Sequence, residues 1–360
     1  MRFVEIDNLR IGMTVGQDVF ISSADAALLA KGQQLTARFI ERMKEHGLPG
    51  VYIYDPNKPS PLVLNNEPAI SPQLKQEGLT AIEHMFSAIE NSASAEAVKV
   101  IKHLDSVVDN LIDSLSYNKG VLINIDDIKS YDDYTYHHSM SVSILSIAIG
   151  IALGIPRAKL NKLGQCAVLH DIGKIFVPLE IINKPDKLTP IEFQEIKKHP
   201  LHGYSYIKEH GIGSPDVGEI VCNHHEKIDG TGYPRGLKGR DIHVYSRIIS
   251  VADVYDALTS QRPYRTPSPP SEALEFIMGG CGTAFDYDVV QAFVAKVELY
   301  PVGSLVLLSN NETARILSNQ KNRPTVEILD SGRIIDLYRN PQYLNVVILR
   351  SLPASETPAA

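Results

Sequence analysis

Apolar residues change their spacing three times along this chain. Near the start they alternate with polar ones in short runs, Phe3-Val4-Glu5-Ile6 and Val51-Tyr52-Ile53-Tyr54, with turn residues between, which predicts half-buried strands. One helix interrupts them, from a Thr36 N-cap through Phe39, Ile40 and Met43 to a Gly47 stop. Farther on, Ala97, Ile101, Leu104, Val108, Leu111 and Leu115 recur at three- and four-residue spacing, the stripe of an amphipathic helix. That stripe could pack inside the molecule or form the seam of a homodimer. Helical signals then dominate, with readable caps: Thr189-Pro190-Ile191-Glu192 combines a capping box with proline at the first helical position, and Asp286 opens another helix. After Tyr300-Pro301 short β-prone runs return, Ser304 to Leu308, Thr325 to Leu329 and Leu344 to Leu349.

These patterns predict a multidomain, mainly α-helical chain with a small N-terminal α+β domain and a C-terminal β appendage. The expected segments are residues 1–55 for the N-terminal domain and 56–77 for a linker stiffened by Pro56, Pro59, Pro61, Pro68 and Pro72. Connecting helices over 78–119 lead to the main helical domain over 120–302, the β appendage over 303–354 and a disordered tail over 355–360. At 360 residues the chain has room for such a division and for a sizeable core.

Bulk properties remove several function classes. A net charge of −7 argues against a broad surface for long nucleic acid, while leaving room for a local cationic pocket. Three widely spaced cysteines, Cys166, Cys222 and Cys281, do not make a disulfide framework and fit a reducing cytoplasm. The uncharged run from Ser139 to Ile155 is short for a membrane span and dotted with serines, so it reads as a buried core helix. The first residues lack the apolar core of a signal peptide.

Histidine carries the chemistry. Eight of the twelve fall between positions 137 and 225, including His170 beside Asp171 and the pair His224-His225. Polar pairs in apolar surroundings are costly to bury unless something positive organises them, and imidazole with carboxylate is a ligand set for iron, manganese, zinc or nickel. On a helix His170 and Asp171 would point about 100° apart and reach a metal pair from two directions. Lys174 would lie one turn beyond His170, where an ammonium can bind a phosphate oxygen. Asp253, in the run Ile248-Ile249-Ser250-Val251-Ala252-Asp253, is otherwise a lone carboxylate among apolar residues. Cys166 and Cys222 read as packing residues rather than ligands.

In this order the motifs resemble the HD-GYP phosphodiesterases, a branch of the HD metal-dependent phosphohydrolases that hydrolyses cyclic dinucleotides, chiefly cyclic di-GMP. The residues that carry the resemblance are Tyr134-Thr135-Tyr136-His137-His138-Ser139, His170-Asp171-Ile172-Gly173-Lys174, His199-Pro200 with Gly203, His224-His225-Glu226, Asp229-Gly230-Thr231-Gly232-Tyr233-Pro234, and Asp253 to Arg265. The resemblance implies metal ligands at His138, His170, Asp171, His199, His224, His225 and Asp253, with Asp171 bridging two divalent ions, iron or manganese. Tyr134 stands where members with a third metal have glutamate, so the resemblance favours a binuclear centre. It also implies catalytic parts for Asp171, for Lys174 on the phosphate and for Asp256 in orienting or deprotonating water, and substrate contacts from Lys174, Tyr233, Arg262 and Arg265. Guanidinium groups suit phosphate through planar paired donors. The expected reaction opens cyclic di-GMP to linear pGpG and onward to GMP. The alternatives are hydrolysis of 3′,3′-cyclic GMP-AMP, or a low-turnover receptor that signals through a partner such as a diguanylate cyclase domain. No organic cofactor is expected. The N-terminal domain resembles one often found ahead of such modules, an architecture that implies a regulatory or dimerising part.

Overall fold

The computed structural model describes residues 2–6, 9–16, 19, 28–45, 50–54, 69–90, 94–117, 134–182, 184, 186–260, 267–300, 302–319 and 323–352. The linker prolines up to Pro68, the Gly47 stop, Asp133, the segment from Gln261 to Thr266 with Arg262 and Arg265, and the tail lie outside these residues. The chain forms two compact units, one of residues 1–68, 130–132 and 298–360 and the other of 69–129 and 133–297.

In the first unit, β1 (Arg2–Glu5), β2 (Thr14–Val15) and β3 (Gly50–Tyr54) make an antiparallel sheet in the order β1-β3-β2, and α1 (Ala37–Glu45) lies between β2 and β3 in sequence. Thr36 caps α1 as its sequence predicts, accepting from the Phe39 amide at 3.3 Å. Val4, Val15, Leu29, Leu35, Met43, Val51 and Ile53 form its core. The C-terminal part is a five-stranded antiparallel sheet with its own core of Val306, Leu308, Ala314, Ile316, Val326, Ile328 and Ile335. Its order is β7-β6-β5-β4-β8, from β4 (Leu305–Leu308), β5 (Thr313–Ser318), β6 (Thr325–Ile328), β7 (Ile334–Asp336) and β8 (Ile348–Leu352). The apolar run at Leu344 to Leu349 is a turn for its first part, and the strand begins at Ile348. Strands β5 and β7 have no counterpart in the sequence reading.

The second unit is helical. It opens with α2 (Pro72–Glu90) and α3 (Ser94–Tyr117), which pack on each other. Ser71 accepts from the Leu74 amide at 3.2 Å, so Pro72 is the first helical residue and not part of a linker reaching 77. Leu104, Val108, Leu111 and Leu115 are buried in the single chain, where α3 meets α2 and α5 (Arg157–Leu169), which decides for internal packing of those residues. At the centre is α4 (Tyr134–Ala152), flanked by α5 and α10 (Val244–Thr259), with α12 (Tyr287–Val294) and α2 against it. Every residue from His138 to Gly150 is buried, and a helix apolar on all sides belongs in a core. Among the described residues no helix is long and apolar enough to cross a membrane.

Around that centre run α6 (Leu179–Ile182), α7 (Pro190–Ile196), α8 (His199–Glu209), α9 (Val217–Cys222) and α11 (Pro270–Gly279). The capping box at Thr189 and Glu192 and the Asp286 cap of α12 form as their sequences predict. Gly173 decides one contact: a Cβ there would stand 1.9 Å from the His199 carbonyl oxygen and 2.5 Å from the Gly203 amide nitrogen. Only glycine lets the segment after Asp171 lie directly on α8.

Candidate metal centre

Five segments deliver the candidate ligands to one place. His138 lies in the first turns of α4, and His199 is the first residue of α8. His224 and His225 follow α9, and Asp253 and Asp256 stand on α10. His170 and Asp171 do not share a regular helix as expected. Helix α5 ends at Leu169, His170 caps it, and Asp171 starts a 3₁₀ turn over Ile172–Phe176. The tighter turn brings Lys174 over Asp171, three residues back, and Lys174 Nζ lies 2.5 Å from Asp171 Oδ2.

Hydrogen bonds to the outer ring nitrogens settle where the protons are. His170, His199 and His224 each donate from Nδ1 to the carbonyl three residues earlier, Ala167 at 2.6 Å, Ile196 at 2.7 Å and Val221 at 2.6 Å. His138 Nδ1 lies 2.7 Å from Asp256 Oδ2, and a carboxylate accepts, so that nitrogen is protonated as well. In the neutral rings all four Nε2 atoms then carry lone pairs, and they converge. His138 and His170 approach to 3.2 Å between Nε2 atoms, and His199 and His224 to 3.3 Å. Lone pairs facing each other at that distance repel, and a cation between them turns the repulsion into ligation.

The carboxylates complete the set. Asp171 Oδ2 lies 3.4 Å from both His138 and His170 Nε2, while Oδ1 lies 3.2 Å from His199 Nε2 and has no hydrogen-bond partner. Asp253 Oδ1 lies 3.3 Å from His138 Nε2, and Oδ2 lies 3.8 Å from His225 Nδ1. His138 with His170 and Asp171, His199 with His224 and His225, and His170 with His224 and Asp253 form groups whose ligand atoms lie within 4.8 Å of one another. Such nitrogen and oxygen donors fit divalent transition metals.

Burial works against the charge on Asp171, but the Lys174 ammonium and His170 hold its carboxyl well below the ordinary carboxylate range. Asp253 is likewise held well below, its desolvation outweighed by the contact with His138 and by His225. Burial, with the neighbouring imidazoles adding, pushes His224 well below the ordinary histidine value, and burial lowers His225 to about 3 and His137 to about 4. Above the ordinary value of 6.5 these rings are neutral folded or unfolded. Below it the unfolded chain takes up protons that the folded one refuses, so stability falls by up to about 1.4 kcal/mol per pH unit per ring, less for His225, which solvent reaches. The lowered carboxyls add nothing until the pH nears their ordinary value of 3.8. Urea unfolding of the metal-free protein is expected to weaken steadily from pH 6.5 toward pH 4; a flat profile would show that these rings are not buried neutral.

The centre opens on one side. The His138, His170, His199 and Asp171 side chains are at most 2% exposed, whereas His225 is 24% and Lys174 30% exposed. Over that side lies the loop from Asp229 to Leu237. Tyr233 stacks on His225 with ring centroids 4.7 Å apart, and its amide donates to the His225 carbonyl at 3.2 Å. Burial, with Asp253 and Asp171 adding, pushes its phenol above the ordinary value. Gly232 is obligatory, since a Cβ would stand 2.3 Å from the Lys227 amide nitrogen and 2.5 Å from Glu226 Cα. Glu226, 2% exposed, accepts from the amides of Arg235 at 2.7 Å and Leu237 at 3.0 Å. Sequence reasoning quoted Glu226 within its motif without a part for it; a charged residue directly after two ligand histidines was the available signal.

The seven expected ligands therefore meet, with Lys174 and Tyr233 beside them. Asp256 is present, but the contact it makes is with His138 Nδ1, and its Oδ1 has no hydrogen-bond partner. Arg262, Arg265 and the side chain of Tyr134 lie outside the described residues.

Residues 122–289 match the family model described as HD domain. The chain is 36% identical over 256 residues to the Pseudomonas aeruginosa protein named cyclic di-GMP phosphodiesterase PA4108, an alignment that covers 68% of this chain and 62% of that one. It is 36% identical over 182 residues to a Vibrio cholerae protein named 3′3′-cGAMP-specific phosphodiesterase 1, covering 50% of this chain and 41% of the other. The chain thus spans under two thirds of these relatives. Among solved structures, Bd1817, described as an HDG"Y"P protein from Bdellovibrio bacteriovorus, superposes with a TM-score of 0.53 at 22% identity, covering 81% of this chain and 97% of that one. That likeness concerns the fold.

Proposed function

We propose that the HD domain is a metal-dependent phosphodiesterase that opens cyclic di-GMP to linear pGpG and carries some of it on to GMP. The observation that carries the reading is the convergence of two carboxylates with four histidine Nε2 lone pairs, the Nδ1 atoms of the same rings being otherwise engaged. The substrate class rests on likeness to the Pseudomonas relative named for cyclic di-GMP. Hydrolysis of 3′,3′-cyclic GMP-AMP is the second reading, supported by the name of the Vibrio relative. Both ligands present the same ring phosphates.

Two divalent ions, iron or manganese, would be held by His138, His170, His199, His224, His225, Asp171 and Asp253. When bound, such a pair lowers the pKa of water and offsets charge in an in-line displacement at phosphorus. Asp171, with one oxygen toward His138 and His170 and the other toward His199, would serve both ions. Lys174 neutralises a phosphoryl oxygen, and Asp256 keeps the His138 proton on Nδ1 so that Nε2 faces inward, a positioning part in place of direct contact with water. Arg262 and Arg265 grip phosphate, and Tyr233 borders the ligand.

The test is anaerobic purification with metal quantification, then incubation with each cyclic dinucleotide under manganese and iron supplementation, beside His170→Ala. Turnover of cyclic di-GMP that disappears in the variant is expected. A fully metallated protein that binds the ligand tightly and never cuts it would replace the enzyme by a receptor.

A further inference from the structure

Beside the metal centre sits a cation that the chemistry above does not use. Lys197 follows α7, two residues before the ligand His199. Its ammonium lies 4.9 Å from the centroid of the Tyr233 ring and 5.2 Å from that of Phe193, so two aromatic rings hold it in place. No carboxylate pairs with it among the described residues, in contrast to Lys184 on Glu192, Lys198 on Glu195 and Lys174 on Asp171. A ring quadrupole orients an ammonium without cancelling its charge, so the cation remains available to an anion. The Tyr233 ring also stacks on His225, the most solvent-reached of the ligand histidines, which places Lys197 at the mouth of the centre. Phe193 is 47% exposed, an aromatic face left open beside that cation.

We propose that Lys197, seated on Phe193 and Tyr233, is a substrate-binding residue that takes the phosphate of the cyclic dinucleotide that is not being cut. The inference rests on the cyclic dinucleotide reading. Such a ligand carries two phosphodiesters; the centre and Lys174 serve the scissile one, and Lys197 at the rim offers the second a positive contact. An ammonium held by rings makes that contact with little loss of side-chain freedom, the rotamer having been restricted beforehand.

The test uses metal-loaded full-length protein and compares wild type, Lys197→Gln and Lys197→Arg on cyclic di-GMP and on bis(p-nitrophenyl) phosphate, which has one phosphate. Lys197→Gln is expected to raise KM for cyclic di-GMP about tenfold, the worth of one charge-assisted contact near a surface, with a much smaller change in kcat. The ratio of kcat/KM for cyclic di-GMP to that for the small diester should fall by a similar factor. Lys197→Arg should restore most of it, and the rise of KM with salt should be shallower in Lys197→Gln than in wild type. Wild-type turnover of cyclic di-GMP with the same KM in Lys197→Gln would overturn the part given to Lys197 and leave the substrate reading intact. An equal loss on both substrates would reduce the lysine to a support for the Tyr233 loop and overturn it as well. Wild type that cuts the small diester and ignores every cyclic dinucleotide would remove the substrate reading and this contact with it.

Discussion

Asp171→Ala is expected to lose metal and turnover together. The carboxylate is 2% exposed, with one oxygen toward His138 and His170 and the other toward His199, so its removal leaves each half of the donor set short of a ligand and of negative charge. It also leaves the Lys174 ammonium without the carboxylate it contacts, beside imidazoles that cannot offset it. Metal catalysis of phosphoryl transfer supplies several kcal/mol, and each 1.4 kcal/mol is tenfold, so turnover should fall by about a thousandfold or more. Asp171→Asn separates charge from shape. It keeps the side-chain volume, should hold the fold by circular dichroism, and should still lose metal by elemental analysis. A variant that retains two equivalents of metal per chain would show that Asp171 is not the bridge.

The candidate ligands were legible because histidine and aspartate stand out in apolar runs. Asp253 interrupts Ile248 to Ala252, and His170 ends a helix whose preceding residues Cys166 to Leu169 are all buried. The central helix was legible for the related reason that an uncharged run too short to span a bilayer must be a core. The tautomers were not. They depend on carbonyls three residues back whose aim follows from helix ends, and on Asp256, which reaches His138 from a helix more than a hundred positions away. The break between His170 and Asp171 was invisible because both residues suit a helix, and what forces the change is the backbone of α8 pressed against Gly173. Pro72 read as linker because proline marks linker and first helical turn alike; the Ser71 cap decides between them. Strand β7 escaped because it is three residues long and ends on Asp336, whereas six-residue β5 offered a signal in the alternation of Thr313 and Arg315 with buried Ala314 and Ile316.

Glu226→Ala is expected to detach the Tyr233 loop while leaving the metal ligands in place. A buried carboxylate that accepts two backbone N–H groups is a splint: it fixes Arg235 and Leu237, and with them the path of Tyr233 across His225. Alanine leaves both amides to find water, at about 1–3 kcal/mol for each donor lost from a bond to a charged group, so a total of about 2–6 kcal/mol is at stake. Because the loop can open locally, much of that cost should appear as local exposure rather than as global unfolding. Limited proteolysis should cut between Asp229 and Lys238 in the variant and not in wild type, metal content should stay near wild type, and KM should rise more than kcat falls. Glu226→Gln should be intermediate, since its amide oxygen can still accept while its NH2 group meets a donor it cannot satisfy. Metal loss in Glu226→Ala equal to that of Asp171→Ala would instead make Glu226 a support of His225 itself, whose backbone it adjoins, and the loop a consequence of the centre rather than a separate element held against it.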